Sequence, residues 1–168
     1  LKEQYQNIDA SQATLKNIQT LQQDITFTIT TGHQLNIFTG PLYFLYKIVS
    51  TINLCKELKV AYPNNNFVPV YWMANEDHDF KGKKVQWNRE SSGAVGDLST
   101  DGLTEVFDQF SQHLGVGVYA DSLRNLFTEA YIKHDNLTDA TRFLANAIFK
   151  DYGLVIVDAN NAELKQQL

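Results

Sequence analysis

The chain has 168 residues, of which 43% are hydrophobic and 12% aromatic, and its formal net charge is -5. This length and apolar content suit one domain with a single hydrophobic core. The acidic balance argues against nucleic-acid binding, and no apolar run reaches the roughly 18 residues that a membrane span needs. A lone cysteine, Cys55, excludes a disulfide framework and a multi-thiolate metal site. We expect a soluble, cytoplasmic domain.

The N-terminal half is predicted to alternate helices and strands. Residues 11–22 place apolar side chains at helical spacing behind a serine cap, and residues 25–30 alternate apolar and threonine side chains as a strand does. Residues 41–59 predict a long helix, with Pro41 in its first turn. The almost continuously apolar run 67–73 predicts a strand that is covered on both faces.

The C-terminal half adds several helices and another buried strand. The predicted elements are a weak strand at 83–87, helices at about 104–114, 122–133 and 137–150, and a strand at 154–157. The last of these helices is predicted to be capped near Asn136 or Thr138. This order predicts an α/β fold: a mostly parallel, doubly wound, Rossmann-like sheet with helices on both faces.

Polar clusters follow three of the predicted strands, at residues 31–36, 75–79 and 158–161. In parallel α/β sheets, ligands bind beyond the carboxyl ends of the strands. The clusters are therefore expected to form one site. Asp158 is a weaker candidate, for binding a ribose hydroxyl, by analogy with other doubly wound folds.

The first cluster, TGHQLNIFTGP, spans Thr31 to Pro41 between a strand and a helix. Backbone N–H groups and the positive end of a helix attract phosphate or carboxylate groups. The glycine spacing matches neither a Walker loop nor the dinucleotide G-x-G-x-x-G. An ordinary turn in which His33 makes local hydrogen bonds is the alternative.

The second cluster contains Glu76, Asp77, His78 and Asp79. Its carboxylates repel one another unless a cation, an amine or bound protons compensate. The cluster suits a metal platform, a general base or an anchor for a substrate ammonium group, with a solvated acidic loop as the alternative. Without a spaced second histidine, the metalloprotease zinc signature is absent.

Two side chains of the long predicted helix are weaker candidates. Cys55 lies among apolar residues, which favours a buried, unreactive thiol over a nucleophile. Lys47 either faces water or extends toward a ligand.

Taken together, these motifs resemble the bacillithiol biosynthesis cysteine-adding enzymes. The matching stretches are 31–52, 67–80, 93–103 and 137–165, in the family's order. The resemblance implies a nucleotide-fold core similar to that of class I aminoacyl-tRNA synthetases. It also implies a longer ligase, a homodimer with a C-terminal coiled coil, that joins L-cysteine to the amine of glucosaminyl malate. ATP or a related nucleotide would then activate the cysteine carboxylate.

The resemblance also assigns roles to individual residues. The catalytic candidates are His33, Glu76, Asp77, His78 and Asp79. The candidates for holding the nucleotide are Thr31, Gly32, Gln34, Asn36, Thr39 and Gly40. His33 would stabilise developing charge, and a carboxylate of 76–79 would bind the cysteine ammonium group or deprotonate the sugar amine, with His78 as a second base.

The chain departs from the family's pattern in two places. The family often has proline-glycine where this chain has Leu35-Asn36, and it usually continues the acidic motif where Phe80 is followed by Lys81. We therefore expect residues to be missing between 80 and 81. Both ends resemble the interior of helices, which predicts a fragment.

Two other classes of function stay open at this level. A metal-dependent hydrolase or transferase would use the cluster from Glu76 to Asp79 as ligands. A non-catalytic nucleotide-binding module would use only the loop 32–40.

Overall fold

A parallel three-stranded sheet forms the centre of the computed structural model, which describes residues 1–76 and 94–166. The strands lie in the order β1 (Thr26–Gln34), β2 (Asn66–Ala74), β3 (Val155–Asp158). Gln34 pairs with Ala74, and Met73 pairs with Asp158, so the carboxyl ends of all three strands share one edge. The predicted Rossmann-like α/β fold is confirmed.

Helices connect and cover these strands. Their bounds are α1 (Gln12–Thr20), α2 (Tyr43–Ala61), α3 (Leu103–Leu114), α4 (Ala120–Tyr131), α5 (Leu137–Phe149) and α6 (Ala162–Lys165). Short 3-10 turns occur at Glu3–Tyr5, Val95–Asp97 and Lys150–Tyr152. Within residues 1–76 and 94–166, no helix has the length and apolar character to cross a membrane.

Strand β2 is buried on both faces, as its apolar run predicts. Tyr71 and Met73 belong to a core cluster that includes side chains of α2 and α5. Val68 and Val70 belong to a second cluster, with Ile18 of α1. Because successive side chains of a strand point to opposite faces, these two clusters lie on either side of the sheet. Helices therefore cover both faces.

The ends of two elements differ from the sequence prediction. Strand β1 continues to Gln34 rather than ending at Thr30, because residues 31–34 pair with residues 71–74 of β2. Helix α2 begins at Tyr43 rather than in the turn containing Pro41. The backbone before it is left-handed, which delays the first helical turn. The weak strand predicted at 83–87 lies outside the described residues.

Side-chain caps fix the starts of α1 and α5. The Ser11 hydroxyl accepts a hydrogen bond from the Thr14 amide at 3.2 Å and donates to the Lys150 carbonyl at 2.6 Å. This bond confirms the predicted serine cap and ties α1 to the segment before β3. Of the two candidates for capping α5, Asn136 is the cap, since its Oδ1 accepts from the Asp139 amide at 2.9 Å.

Candidate functional site

The carboxyl edge of the sheet brings together parts of all three predicted polar clusters. Strand β1 ends at Gln34, Asn75 and Glu76 follow β2, and Asp158 ends β3. Asp77, His78 and Asp79 lie outside the described residues, so their predicted grouping with Glu76 stays a prediction.

His33 lies in β1 with its ring held in one orientation. Its Nδ1 is 2.7 Å from the Gln34 carbonyl oxygen, and its ring packs near those of Tyr43 and Phe44 at centroid distances of 5.9 and 5.7 Å. A carbonyl oxygen accepts a hydrogen bond and the Asn36 amide nitrogen, 3.2 Å away, donates one, so Nδ1 is engaged by the turn in either tautomer. Nε2 is the ring nitrogen that these two contacts leave for a ligand.

Asn36 supports the same turn. Its Nδ2 donates to the Gln34 carbonyl at 3.0 Å and lies 3.2 Å from His33 Nδ1. The local hydrogen bonds that the sequence offered as an alternative to a site are therefore present. They orient His33 without occupying its Nε2.

The loop from 38 to 40 has an unusual backbone. Phe38, Thr39 and Gly40 are all left-handed, with φ of 50°, 65° and 55°. Two consecutive non-glycine residues in this region are costly and persist only where the surroundings hold them. The ring of Phe38 stacks on Phe110 of α3 with a centroid distance of 4.9 Å. This aromatic contact fixes the position of the loop against α3.

Helix α4 holds the loop as well. The ring of Phe127 meets that of Phe38 edge-on at 5.4 Å, and the Tyr131 hydroxyl donates to the Asn36 carbonyl at 3.1 Å. Burial raises the pKa of Tyr131, so it stays a neutral donor. Sequence reasoning did not find Phe110, Phe127 or Tyr131, because their helical spacing is typical of any core helix.

Lys47 of α2 extends toward the first motif rather than into water. Its Nζ donates to the Gly32 carbonyl and lies 5.2 Å from the centroid of the Tyr43 ring. Gly32 is exposed and Thr31 is half-buried in β1. The amine therefore adds positive charge beside the motif.

Asn75 connects the ends of β2 and β3 to α5. It is 1% exposed, and its Nδ2 donates to Asp158 Oδ1 at 2.6 Å and to the Thr138 hydroxyl at 3.1 Å. Its Oδ1 accepts from the Asn160 amide at 3.1 Å. Asn75 thus orients Asp158. The sequence placed Asn75 beside the acidic cluster but assigned it no role; a polar residue directly after a buried strand was the available signal.

An arginine lies close to Asp158. The Arg142 guanidinium donates to the backbone oxygen and to Oε1 of Gln4, both at 2.8 Å, and Oε1 also accepts from the Asp158 amide at 3.0 Å. Burial lowers the pKa of Arg142, while the Asp158 carboxylate opposes that shift. The arginine remains charged at neutral pH and compensates Asp158 electrostatically.

Glu76 is half-buried after β2. Within residues 1–76 and 94–166, its Oε2 has no hydrogen-bond partner although that atom is buried. The described part of the chain holds no group of three or more histidine, cysteine or acidic side chains arranged around a metal position. An ammonium group or a proton donor would satisfy the Glu76 oxygen.

A narrow, partly open crevice lies beside the end of β1. It is too narrow for a water molecule to enter. Its lining residues are Gln34, Asn36, Thr39, Phe44, Tyr71, Thr141 and Leu144. The structure thus brings Gln34, Asn36 and Thr39, three of the predicted ligand-binding residues, to one opening. Thr141 and Tyr71, which the sequence did not single out, form part of its wall.

Comparison with known proteins identifies the family. Residues 1–168 match the model of the N-terminal Rossmann-like domain of bacillithiol biosynthesis BshC. The chain belongs to the BshC family. The resemblance expected from the motifs at 31–52 and 67–80 is confirmed, and family membership does not favour the metal-dependent hydrolase, the transferase or the non-catalytic module.

Relatives across several bacteria carry the same name. The chain is 62% identical to a "Putative cysteine ligase BshC" of Flavobacterium johnsoniae, 38% identical to one of Cytophaga hutchinsonii and 26% identical to one of Bacillus cytotoxicus. Each alignment covers 99% of this chain but 33%, 32% and 34% of the respective relative. The chain therefore spans about a third of the length of these relatives.

Proposed function

We propose that this chain is the Rossmann-like core of a ligase that forms an amide between the carboxyl group of L-cysteine and the amine of glucosaminyl malate, in bacillithiol biosynthesis. The observation that carries the proposal is the family match over residues 1–168. The position of His33, Asn36 and Glu76 at the carboxyl edge of the sheet supports it, because ligands bind at that edge in parallel α/β folds.

Amide formation needs an activated carboxyl group, and we assign that task to ATP or a related nucleotide. The start of α2 fits a phosphate: in the described part of the chain no side chain caps it at Leu42, and Gly40, Pro41 and Tyr43 are exposed. Free N–H groups at a helix start favour an anion. Lys47 adds positive charge nearby. Bound there, the nucleotide would supply the leaving group for the cysteine carboxyl.

The remaining candidates handle protons and charge. His33, whose Nδ1 is engaged by the turn, presents Nε2 as the hydrogen-bond donor to negative charge that develops at the cysteine carboxyl. Glu76 offers a carboxylate oxygen for the cysteine ammonium group or for a proton of the sugar amine. We extend these two roles to Asp77, His78 and Asp79 on the strength of the motif. Thr31, Gly32, Gln34, Thr39 and Gly40 complete the proposed nucleotide side of the site.

The proposed enzyme is longer than this chain and acts on small molecules in the cytoplasm. The relatives extend well beyond the matched third, which leaves room for the coiled coil that we expect to form a homodimer. A reducing compartment suits an enzyme whose substrate and product are free thiols.

The deciding experiment supplies the full-length protein with glucosaminyl malate, L-cysteine and ATP and follows the products by mass spectrometry. Bacillithiol with an equal amount of AMP supports an adenylate, and bacillithiol with ADP supports an acyl phosphate. Folded protein that yields no bacillithiol with any nucleotide would overturn the ligase proposal.

A histidine pair tests the catalytic assignment. We expect His33→Ala to lower kcat by about 10²–10³, the loss that removal of one group stabilising developing charge usually causes. His113→Ala is the matched control, since His113 is an exposed residue of α3 whose Nδ1 lies 2.8 Å from the Gln109 carbonyl. Equal activities for the two variants would remove His33 from the mechanism.

A further inference from the structure

The hydroxyl of Tyr131 contacts the backbone of the first motif at more than one point. Tyr131 is the last residue of α4 and is 1% exposed, and its hydroxyl donates to the Asn36 carbonyl at 3.1 Å. Burial raises the pKa of this phenol, and hydrogen bonds from the backbone of Phe38 and Thr39 act in the opposite direction. The phenol oxygen therefore both donates to and accepts from the segment 36–39.

The segment that this hydroxyl holds is the one with the costly backbone. Phe38 and Thr39 are left-handed non-glycine residues, a conformation that persists only where the surroundings enforce it. The ring of Tyr131 meets that of Phe38 edge-on, with a centroid distance of 5.2 Å. The ring contact thus fixes the side chain of Phe38, and the hydroxyl fixes the backbone from Asn36 to Thr39.

The conformation of this segment decides how the chain enters α2. Gly40 and Pro41 follow Thr39 directly, and the helix begins at Tyr43. A change of φ at Phe38 or Thr39 would redirect the chain that leads into the helix. The groups proposed to hold the nucleotide therefore depend on the loop for their positions.

We propose that Tyr131 is a positioning residue for the nucleotide, and that its hydroxyl keeps the loop 36–40 in the conformation that binds ATP. The inference rests on the proposed ligase function, in which Thr39, Gly40 and the start of α2 lie on the nucleotide side of the site. Tyr131 is buried against the loop and acts through it, rather than by contact with the ligand.

Removing the hydroxyl while keeping the ring tests this role. In the full-length protein, Tyr131→Phe is expected to raise the Kd for ATP about fivefold, measured by calorimetry, because losing one hydrogen bond lowers the population of the binding conformation. Hydrogen exchange followed by mass spectrometry should also show faster exchange in the peptide that contains residues 36–40.

Tyr5→Phe is the matched control. Tyr5 is 6% exposed and belongs to the core cluster on the other face of the sheet, where its hydroxyl accepts from the Ile156 amide at 2.6 Å. Both variants should lower the denaturant midpoint, since each loses a buried hydrogen bond. Weaker ATP binding is expected in Tyr131→Phe alone, which separates positioning of the loop from a general loss of stability.

The outcomes distinguish this inference from the ligase proposal. Bacillithiol formation together with an unchanged Kd for ATP in Tyr131→Phe would overturn the positioning role and leave the ligase intact. ATP binding that weakens in Tyr131→Phe but not in Tyr5→Phe, in a protein that makes no bacillithiol, would keep the positioning role and overturn the ligase. An equal loss of ATP affinity in both variants, or a wild-type protein that does not bind ATP in the calorimeter, overturns the positioning role whatever the product assay shows.

Discussion

Gly40 satisfies two separate constraints at the first motif. Its φ is 55°, in the region that L side chains rarely adopt, and a Cβ built there would lie 2.5 Å from the Asn36 Cβ. Gly40→Ala is therefore expected to lower the free energy of unfolding by more than about 1 kcal/mol, since both the backbone conformation and the contact oppose the new methyl group. Urea unfolding measures the change.

Substitutions at two other glycines separate the effect of the left-handed backbone from that of the close contact. Gly115 has a φ of 61° with no described atom near its hypothetical Cβ, and Gly117 lacks both the left-handed φ and a close neighbour within the described residues. The loss of stability should be largest for Gly40→Ala, intermediate for Gly115→Ala and smallest for Gly117→Ala. Equal losses at Gly40 and Gly115 would show that the Asn36 contact relaxes without cost.

At the residue scale, the motif singles out Gln34, Asn36 and Thr39, and the structure places all three along one crevice. Their binding role stays a prediction. Thr141 was not singled out, because it is one threonine among the polar and apolar residues of a helix. Its approach to β1 depends on how α5 packs on the sheet, which no local pattern encodes.

Among the helices and strands, α5 is expected to owe part of its stability to the cap of its first turn. It carries both Thr138, which contacts Asn75, and Thr141. The Asn136 side chain caps this helix through the Asp139 amide. Asn136→Ala should lower the free energy of unfolding by about 1 kcal/mol, the usual effect of a lost N-cap.

Amide hydrogen exchange at the start of α5 provides the second measurement for this cap. Exchange of the first-turn amides should accelerate in Asn136→Ala, while Asn136→Ser, which keeps an acceptor oxygen, should stay close to wild type. Unchanged exchange and stability in the alanine variant would show that packing of α5, rather than its cap, sets the local stability.

The sequence predicted which strands and helices exist better than it predicted where they begin and end. The alternating residues 25–30 predicted β1, and the apolar run 67–73 predicted β2. The extension of β1 to Gln34 was missed because it depends on pairing with residues 71–74, which belong to another strand. The left-handed backbone before α2 was missed because Phe38 is held by rings from α3 and α4.

At the scale of the whole molecule, Asn75 contacts residues that are distant from it in sequence. Asn75 binds Thr138 and Asp158, which lie 63 and 83 residues further along the chain. A Cβ at Gly96 would approach the Asn75 Cβ to 2.7 Å, so the 3-10 turn at 95–97 packs closely there as well. Such a meeting of four segments follows from the topology and cannot be derived from any one of them.

Ionisation of the Cys55 thiol is expected to lower the stability of the fold at alkaline pH. This thiol is 6% exposed, and burial raises its pKa to about 11. An ordinary thiol has a pKa of about 8.5, so the unfolded chain loses this proton first as pH rises. The free energy of unfolding should therefore fall between about pH 9 and pH 11.

Cys55→Ala isolates that contribution. Burial also raises the pKa values of Tyr71 and Tyr131, whose contributions have the same sign and remain in the variant. The slope of stability against pH, from urea unfolding at successive pH values, should be shallower without the thiol. Identical slopes for the two proteins would mean that Cys55 ionises equally in the folded and unfolded chains.

The aromatic rings that pack against Phe38 make the conformation of the loop 38–40 sensitive to substitutions in other helices. Phe110 and Phe127 belong to α3 and α4, and both press on Phe38. A random mutagenesis screen for inactive enzyme should therefore recover substitutions at these two phenylalanines alongside those in the site itself. On the proposed ligase function, a map of such variants would extend from the loop 38–40 into α3 and α4.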